Sequence, residues 1–386
     1  MTLPLNELVA SVERMAKVLA QRETDFARRK QEARRWLKEY ADQGPVLRTA
    51  AQDVNAAIPT DEPLDAVVPT PPVPDRFTVV GADGSTIPPD RHGAALYYVI
   101  NIGSLVYRHG SGERPQARSA PFLGYEQKDL FEGTALVAGN LLDVRRDQAE
   151  IEHLAERVEE EPKGPTLVLV DGTLLLWVLE NLPPEAEGRE KKVRRYLGAL
   201  DRIREKGAAV AGFISRPRHT EVSRLLLLAH LGGDVERVRQ AERGRLPLPD
   251  RAVFADLPAG ARSALFASPN KINQMYASAG HEVWFFYLNV AAEGEEPIVA
   301  RVEVPVWVAR SDDLLSLVHA GVVAQSRIAG GYPYVLARAD ELAYISGPER
   351  QRLQEMVETA LLRAGLPPSL SPKAYFKTLT RAGRRW

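Results

Sequence analysis

Apolar residues recur at helical spacing through the first forty positions, with Leu8, Val12, Met15 and Leu19 followed by Trp36 and Leu37. That rhythm predicts one long helix, or two, over residues 4–42. Six prolines then fall between residues 55 and 76: Pro59, Pro63, Pro69, Pro71, Pro72 and Pro74. Proline removes a backbone donor and locks φ, so this stretch is expected to be an extended connector. From residue 77 the pattern changes to short apolar runs. Residues 77–83 read as a strand that stops in the turn Asp83-Gly84-Ser85. Residues 94–108, rich in Tyr, Val and Ile, read as a second strand that hairpins back, and 121–130 as a third. Residues 138–160 are expected to be helical, with Ile151, Leu154, Ala155 and Val158 on one face. The unbroken apolar run at 166–171 suits a strand buried on both faces, as in a parallel sheet. Helices are expected at 174–182 and 190–205, and a second buried strand at 208–215.

Three antiparallel strands, a helix, a strand, a helix and a strand make a mixed α/β sheet with right-handed crossovers. This is the element order of a ribonuclease-H-like fold with a five-stranded sheet flanked by helices. The segment 235–310 interrupts it and carries two further apolar runs, 284–290 and 298–308, expected to form an inserted hairpin. Helices near 311–327, 335–345 and 348–364 close the chain. The expected organisation is an N-terminal helical region (1–54), a Pro-rich connector (55–76), the main α/β domain (77–345), and a C-terminal helix with a basic tail (346–386).

The chain has 386 residues, 45% hydrophobic and 26% charged, as is usual for a globular protein. It contains no cysteine, which excludes disulfides, thiol nucleophiles and thiolate metal sites, so a metal would need oxygen or imidazole ligands. No run approaches the roughly 18 apolar residues of a spanning helix, and the N-terminus lacks the pattern of a secretory signal. A cytoplasmic protein without membrane contact is expected. A net charge of −1 argues against dedicated duplex binding. The distribution softens this, because Arg28, Arg29, Lys30, Arg34, Arg35 and Lys38 crowd one stretch. Residues 369–386 carry Lys373, Lys377, Arg381, Arg384 and Arg385 with no acidic residue. Such clusters can track phosphates or serve as solvated surface.

Candidate chemistry rests on carboxylates. Asp83 and Asp171 each close an apolar strand and are each followed by glycine and a hydroxyl residue. Asp-Gly is a common turn dipeptide, but an aspartate ending a buried run also suits a cleft at a sheet edge, with Gly84 and Gly172 turning the backbone away. Hard cations such as Mg²⁺ and Mn²⁺ prefer carboxylates, and phosphodiester hydrolysis commonly uses two ions. The helix between the two aspartates offers Asp147, Glu150 and Glu152, with Glu150 nearest the apolar face, and Asp340 follows Tyr332-Pro333-Tyr334 near the chain end. The seven histidines show no paired zinc spacing. No phosphate loop or Gly-x-Ser-x-Gly elbow is present.

The motifs Gly-Ala-Asp83-Gly-Ser, the Arg146-to-Glu152 helix, Leu-Val-Asp171-Gly-Thr, Phe213-Ile-Ser215-Arg216 and Tyr-Pro…Ala-Asp340 occur in the order seen in NurA nucleases. Over residues 75–345 the chain resembles that family. The resemblance implies a Mn²⁺- or Mg²⁺-dependent deoxyribonuclease that resects DNA ends in double-strand break repair, as a homodimer docked on a HerA-type hexameric translocase. It implies that Asp83, Asp171 and one of Glu150 and Glu152 ligate two metal ions, Asp83 bridging them and Asp340 completing the shell. Many members carry histidine where Asp340 stands. The lysine expected near the end of the fifth strand is not evident; Arg216 and Arg218 stand there and are assigned to the DNA backbone. Two rival readings are a nuclease-like adaptor that binds DNA and the translocase without cutting, and a related enzyme acting on RNA or hybrids.

Overall fold

The computed structural model describes residues 5–181, 188–243 and 247–366; the basic segment 369–386 lies outside them. Within these bounds the N-terminal periodicity becomes two helices, α1 (Val9–Glu39) and α2 (Gly44–Asp53). A short strand β1 (Ile58–Pro59) lies in the proline-rich stretch. Then follow β2 (Phe77–Ile87), β3 (Tyr98–His109), β4 (Gln116–Gly124), α3 (Asn140–Glu160) and β5 (Thr166–Asp171). After these come α4 (Arg189–Glu205), β6 (Ala209–Ile214) and α5 (Glu221–His230). The added segment supplies β7 (Phe266–Ala267), β8 (Val283–Asn289) and β9 (Val299–Pro305). Helices α6 (Asp312–Ile328), α7 (Tyr334–Ala343) and α8 (Gly347–Arg363) complete the described chain.

Two compact units result. Of the described residues, the first collects 5–70, 214–273 and 283–303; the second collects 71–213, 274–282 and 304–366. In the first, the strands run in the order β1-β7-β8-β9. The later half of α1 packs Ala33, Trp36 and Leu37 with Leu225, Leu226, Phe285 and Tyr287. The expected hairpin is therefore sealed by the N-terminal helices. Its β9 carries the fully buried Arg301, which pairs with Glu303 at 2.9 Å and with Glu221 and lies 3.5 Å from the centre of the Phe285 ring. A buried guanidinium is tolerated only with such complete pairing. All six basic side chains of the N-terminal cluster expected to track phosphates lie on α1, where Arg28 pairs with Asp25 and Glu32, and Arg34 with Asp256.

The second unit carries the five-stranded sheet in the order β4-β3-β2-β5-β6. β2, β3 and β4 pair antiparallel, whereas β2, β5 and β6 pair parallel. This is the mixed α/β architecture, three antiparallel strands and then parallel crossovers, read from the apolar runs. Three local expectations change. β2 does not stop at Asp83: turn chemistry is overridden by continuous pairing with β3 from Phe77↔His109 to Ile87↔Val99. The third strand lies at Gln116–Gly124, earlier than 121–130. In place of a helix at 174–182 there is a single 3₁₀ turn, Trp177–Asn181.

The alternation of side chains along β2 sets two helices on opposite faces. A Cβ on Gly84 would lie 2.5 Å from Glu150 Oε1 and 2.8 Å from Arg146 Cγ, both on α3. A Cβ on Gly81 would lie 2.8 Å from Val335 on α7. Asp83 and Ser85 share the face of Gly81. Ser85 Oγ donates to the Ala343 carbonyl at 2.6 Å, and Asn101 Nδ2 to the same carbonyl at 2.9 Å, so the C-terminal end of α7 is satisfied by the sheet. Opposite Asp83, at Gly103, any side chain would collide with the α7 backbone at Ala339 and Ala343.

Candidate functional site

The parallel register of β2 with β5 ends at Ala82↔Val170. One residue further, β2 continues with Asp83 while β5 ends with Asp171. The strand beside Asp83 is thus missing on one side, and an edge opens at the C-terminal end of the parallel strands, where side chains of α/β sheets reach a crevice. Gly172 follows with φ of 105° and turns the chain away, as expected. Gly84 does something else: inside a strand, its missing side chain makes room for the Glu150 carboxylate.

Asp83 is half-buried and Glu150 buried, whereas solvent reaches Asp171 and Asp340. Burial pushes the Asp83 carboxyl up to about 6. The Gly84 N–H opposes this, while the charges of Asp171 and Asp340 and a hydrogen bond shared with Asp340 reinforce it. The surrounding protein also raises Asp171, exposed as its edge is; a hydrogen bond from the Tyr332 hydroxyl and the charge of Arg146 work against that, and Asp340 adds to it. Burial raises Glu150 well above the ordinary range, with Asp147, Asp83 and Asp171 adding and Arg146 opposing. Asp171 and Asp340 thus bear on Asp83, Asp340 on Asp171, and Asp83 and Asp171 on Glu150, which makes this edge acidic.

Glu152 is not brought into this group. One turn-phase away on α3, it forms a two-pronged pair with Arg195 of α4 at 2.5 and 2.7 Å. Arg216 and Arg218 lie just past the end of β6 and are exposed; Arg216 has φ of 46°. Both belong to the first unit. Two residues not singled out as functional from the sequence also enter the site. Arg146 contacts Asp147 at 2.7 Å, Glu150 at 3.2 Å and Asp143 at 3.9 Å. Burial works against its charge, but these carboxylates outweigh burial and push its pKa up. Its position one helical turn before Glu150 is the signal that points to it. Tyr332, whose hydroxyl is raised by burial and by Asp171, precedes α7 in the same segment as Asp340.

Among the described residues, no three His, Asp or Glu side chains stand close enough together to enclose a metal ion. The donor set nonetheless fits a hard divalent cation in its chemistry. It consists of carboxylate oxygens only, and Asp83, Asp171 and Glu150 are all driven toward protonation by burial and by neighbouring acids. A bound double positive charge relieves that repulsion.

The sheet order and the acidic edge define a ribonuclease-H-like α/β protein. A family model described as the NurA domain matches residues 77–345, and the chain belongs to the NurA family. The crystal structure of the NurA nuclease from Sulfolobus solfataricus superposes with a TM-score of 0.51 at 15% identity, covering 94% of this chain and 98% of that one. A NurA crystal structure bound to dAMP and manganese matches at 12% identity with a TM-score of 0.43, over 94% of this chain and 98% of that one. The catalytic domain of human endonuclease V matches at 14% identity with a TM-score of 0.30, over 72% and 83%. No curated protein matches the sequence. No helix among the described residues is long and apolar enough to cross a membrane.

Proposed function

We propose that this chain is a divalent-metal-dependent deoxyribonuclease that resects DNA ends in the cytoplasm during double-strand break repair. It does so as a homodimer with a HerA-type hexameric translocase. The observation that supports this reading best is the gathering of carboxylates at the edge where β5 ends beside a continuing β2, with Asp171 and Asp340 raising Asp83, and Asp83 and Asp171 raising Glu150. Membership of the NurA family, and the fold shared with a protein described as a nuclease, support it further. Asp83, Glu150, Asp171 and Asp340 would hold Mn²⁺ or Mg²⁺, two ions in all; Glu152 is the reserve ligand, available only by leaving Arg195. Bound there, the metal supplies an activated water and charge for the leaving 3′-oxygen. The protein itself contributes position. Gly84 seats Glu150 at the sheet edge, Tyr332 orients the Asp171 carboxylate, and Arg146 steadies Glu150 and Asp147. Arg216 and Arg218 contact the strand's phosphates.

The test is cleavage of end-labelled linear DNA with Mn²⁺ and with EDTA, alongside Asp83→Ala. Shortening that needs the metal and is lost in the variant is expected; a purified Asp83→Ala protein that still cuts at the wild-type rate sinks the assignment. A second reading, an adaptor that binds DNA and the translocase without cutting, is favoured by Arg146, whose guanidinium already serves as counter-ion to Glu150 and Asp147. In that case DNA is bound but stays uncut even with the translocase present.

A further inference from the structure

Arg146 stands on α3 between two sets of carboxylates. One turn ahead is Glu150, whose Oε1 lies 3.2 Å from its Nε. On the other side are Asp147, 2.7 Å from Nη2, and Asp143, one turn behind and 3.9 Å from Nη1. The two sides differ in depth. The Glu150 side chain is only 8% exposed, and its one pairing among the described residues is with Arg146. The side chains of Asp147 and Asp143 are 24% and 43% exposed. A carboxylate as deep as Glu150 needs a counter-charge to stay ionised. Both members of the pair crowd against Gly84 of β2, where a Cβ would collide with the Glu150 carboxylate and the Arg146 stem alike. They share one narrow seat. A guanidinium and a dication brought to the same carboxylate there repel each other strongly, because little water is present to screen them.

We infer that Arg146 competes with the divalent cation for Glu150, and that Asp143 and Asp147 keep the guanidinium when it gives Glu150 up. This rests on the metal-site reading above and adds what regulates that site: the cation's affinity is set by an exchange of counter-ions. The exchange is short, because the guanidinium already touches both sides and leaves Glu150 without losing its last carboxylate partner. The pair Glu152–Arg195 has no such second station. Among the described residues no carboxylate other than Glu152 pairs with Arg195, so drawing Glu152 away strands a guanidinium.

The experiment is Mn²⁺ binding to the purified full chain without DNA, read by isothermal titration calorimetry. Arg146→Met should bind Mn²⁺ roughly tenfold more tightly than wild type, the scale on which residues behind a ligand act on metal affinity. Arg146→Met/Glu150→Gln should bind no more tightly than Glu150→Gln alone, because the competition is for Glu150. If the double variant keeps the gain, Arg146 acts through its charge on the whole site and the competition is overturned. Binding by Arg146→Met that is equal to or weaker than wild type also overturns it, and leaves the metal site standing. If neither wild type nor Arg146→Met binds Mn²⁺, the metal-site reading falls together with the competition. Circular dichroism checks folding, and Arg146→Gln, which keeps a donor but no charge, repeats the comparison if the methionine variant does not fold.

Discussion

Asp83→Asn gives the sharpest test of the electrostatics at the acidic edge. The folded protein holds this carboxyl at about 6 against an ordinary 3.8, a displacement that corresponds to about 3 kcal/mol. The fold favours the neutral acid, so ionisation has no cost to stability below 3.8. The cost accumulates as pH rises from 3.8 to 6 and is complete above 6. Asparagine keeps the shape and never ionises. In EDTA at about pH 7.5 the variant should therefore be the more stable protein, by about 3 kcal/mol at most, which for a unit of this size is roughly 6–12 °C in melting temperature. At about pH 3.5 the two proteins should melt together. Adding Mn²⁺ should raise the wild-type melting temperature and leave the variant nearly unmoved, because a ligand stabilises only the state that binds it. Circular dichroism melts across the pH range, with and without the metal, measure all of this. A variant that melts below wild type at neutral pH in EDTA, or an offset that does not change with pH, would refute the reasoning.

Gly84→Ala places a methyl group 2.5 Å from Glu150 Oε1 and 2.8 Å from Arg146 Cγ. It should cost about 1–3 kcal/mol, as over-packing usually does, and lower DNA cleavage at least as severely as Glu150→Gln; full activity in a gel assay would remove Glu150 from the site. In the first unit, burial pushes the Asp250 carboxyl up to about 7 although it accepts hydrogen bonds from the Val222 and Ser223 N–H groups and the Tyr287 hydroxyl. The wild type should lose stability as pH rises from 3.8 through 7, by about 4 kcal/mol at most. Asp250→Asn should flatten that slope, as read by denaturant midpoints at several pH values.

The acidic edge was legible where local pattern and tertiary structure agree. Asp171 ends its strand as the apolar run says. Glu150 faces inward because the 3.6-residue phase of α3 puts it beside Ile151 and Leu154, and the same phase turns Glu152 outward. What occupies Glu152, Arg195 on α4, lies 43 residues further along and leaves no mark on local spacing. At Asp83 the local signal was misleading. Asp-Gly-Ser is turn chemistry, yet eleven residues of pairing with β3 hold it as strand, so the opening beside Asp83 comes from where β5 stops. The association of the 283–303 segment with the N-terminal helices depends on contacts between residues more than two hundred positions apart, which periodicity does not encode.

Gly84 and Gly103 sit on opposite faces of the sheet, one under α3 and the other under α7. The acidic site therefore has two walls that can be retuned separately. Substitutions at 84 move Glu150 and Arg146 and leave Asp340 in place, while substitutions at 103 lift α7 with Asp340 and leave Glu150 in place. Each wall is set by the smallest side chain available, so a change at 84 bears on Glu150 and Arg146, and a change at 103 on the backbone of α7.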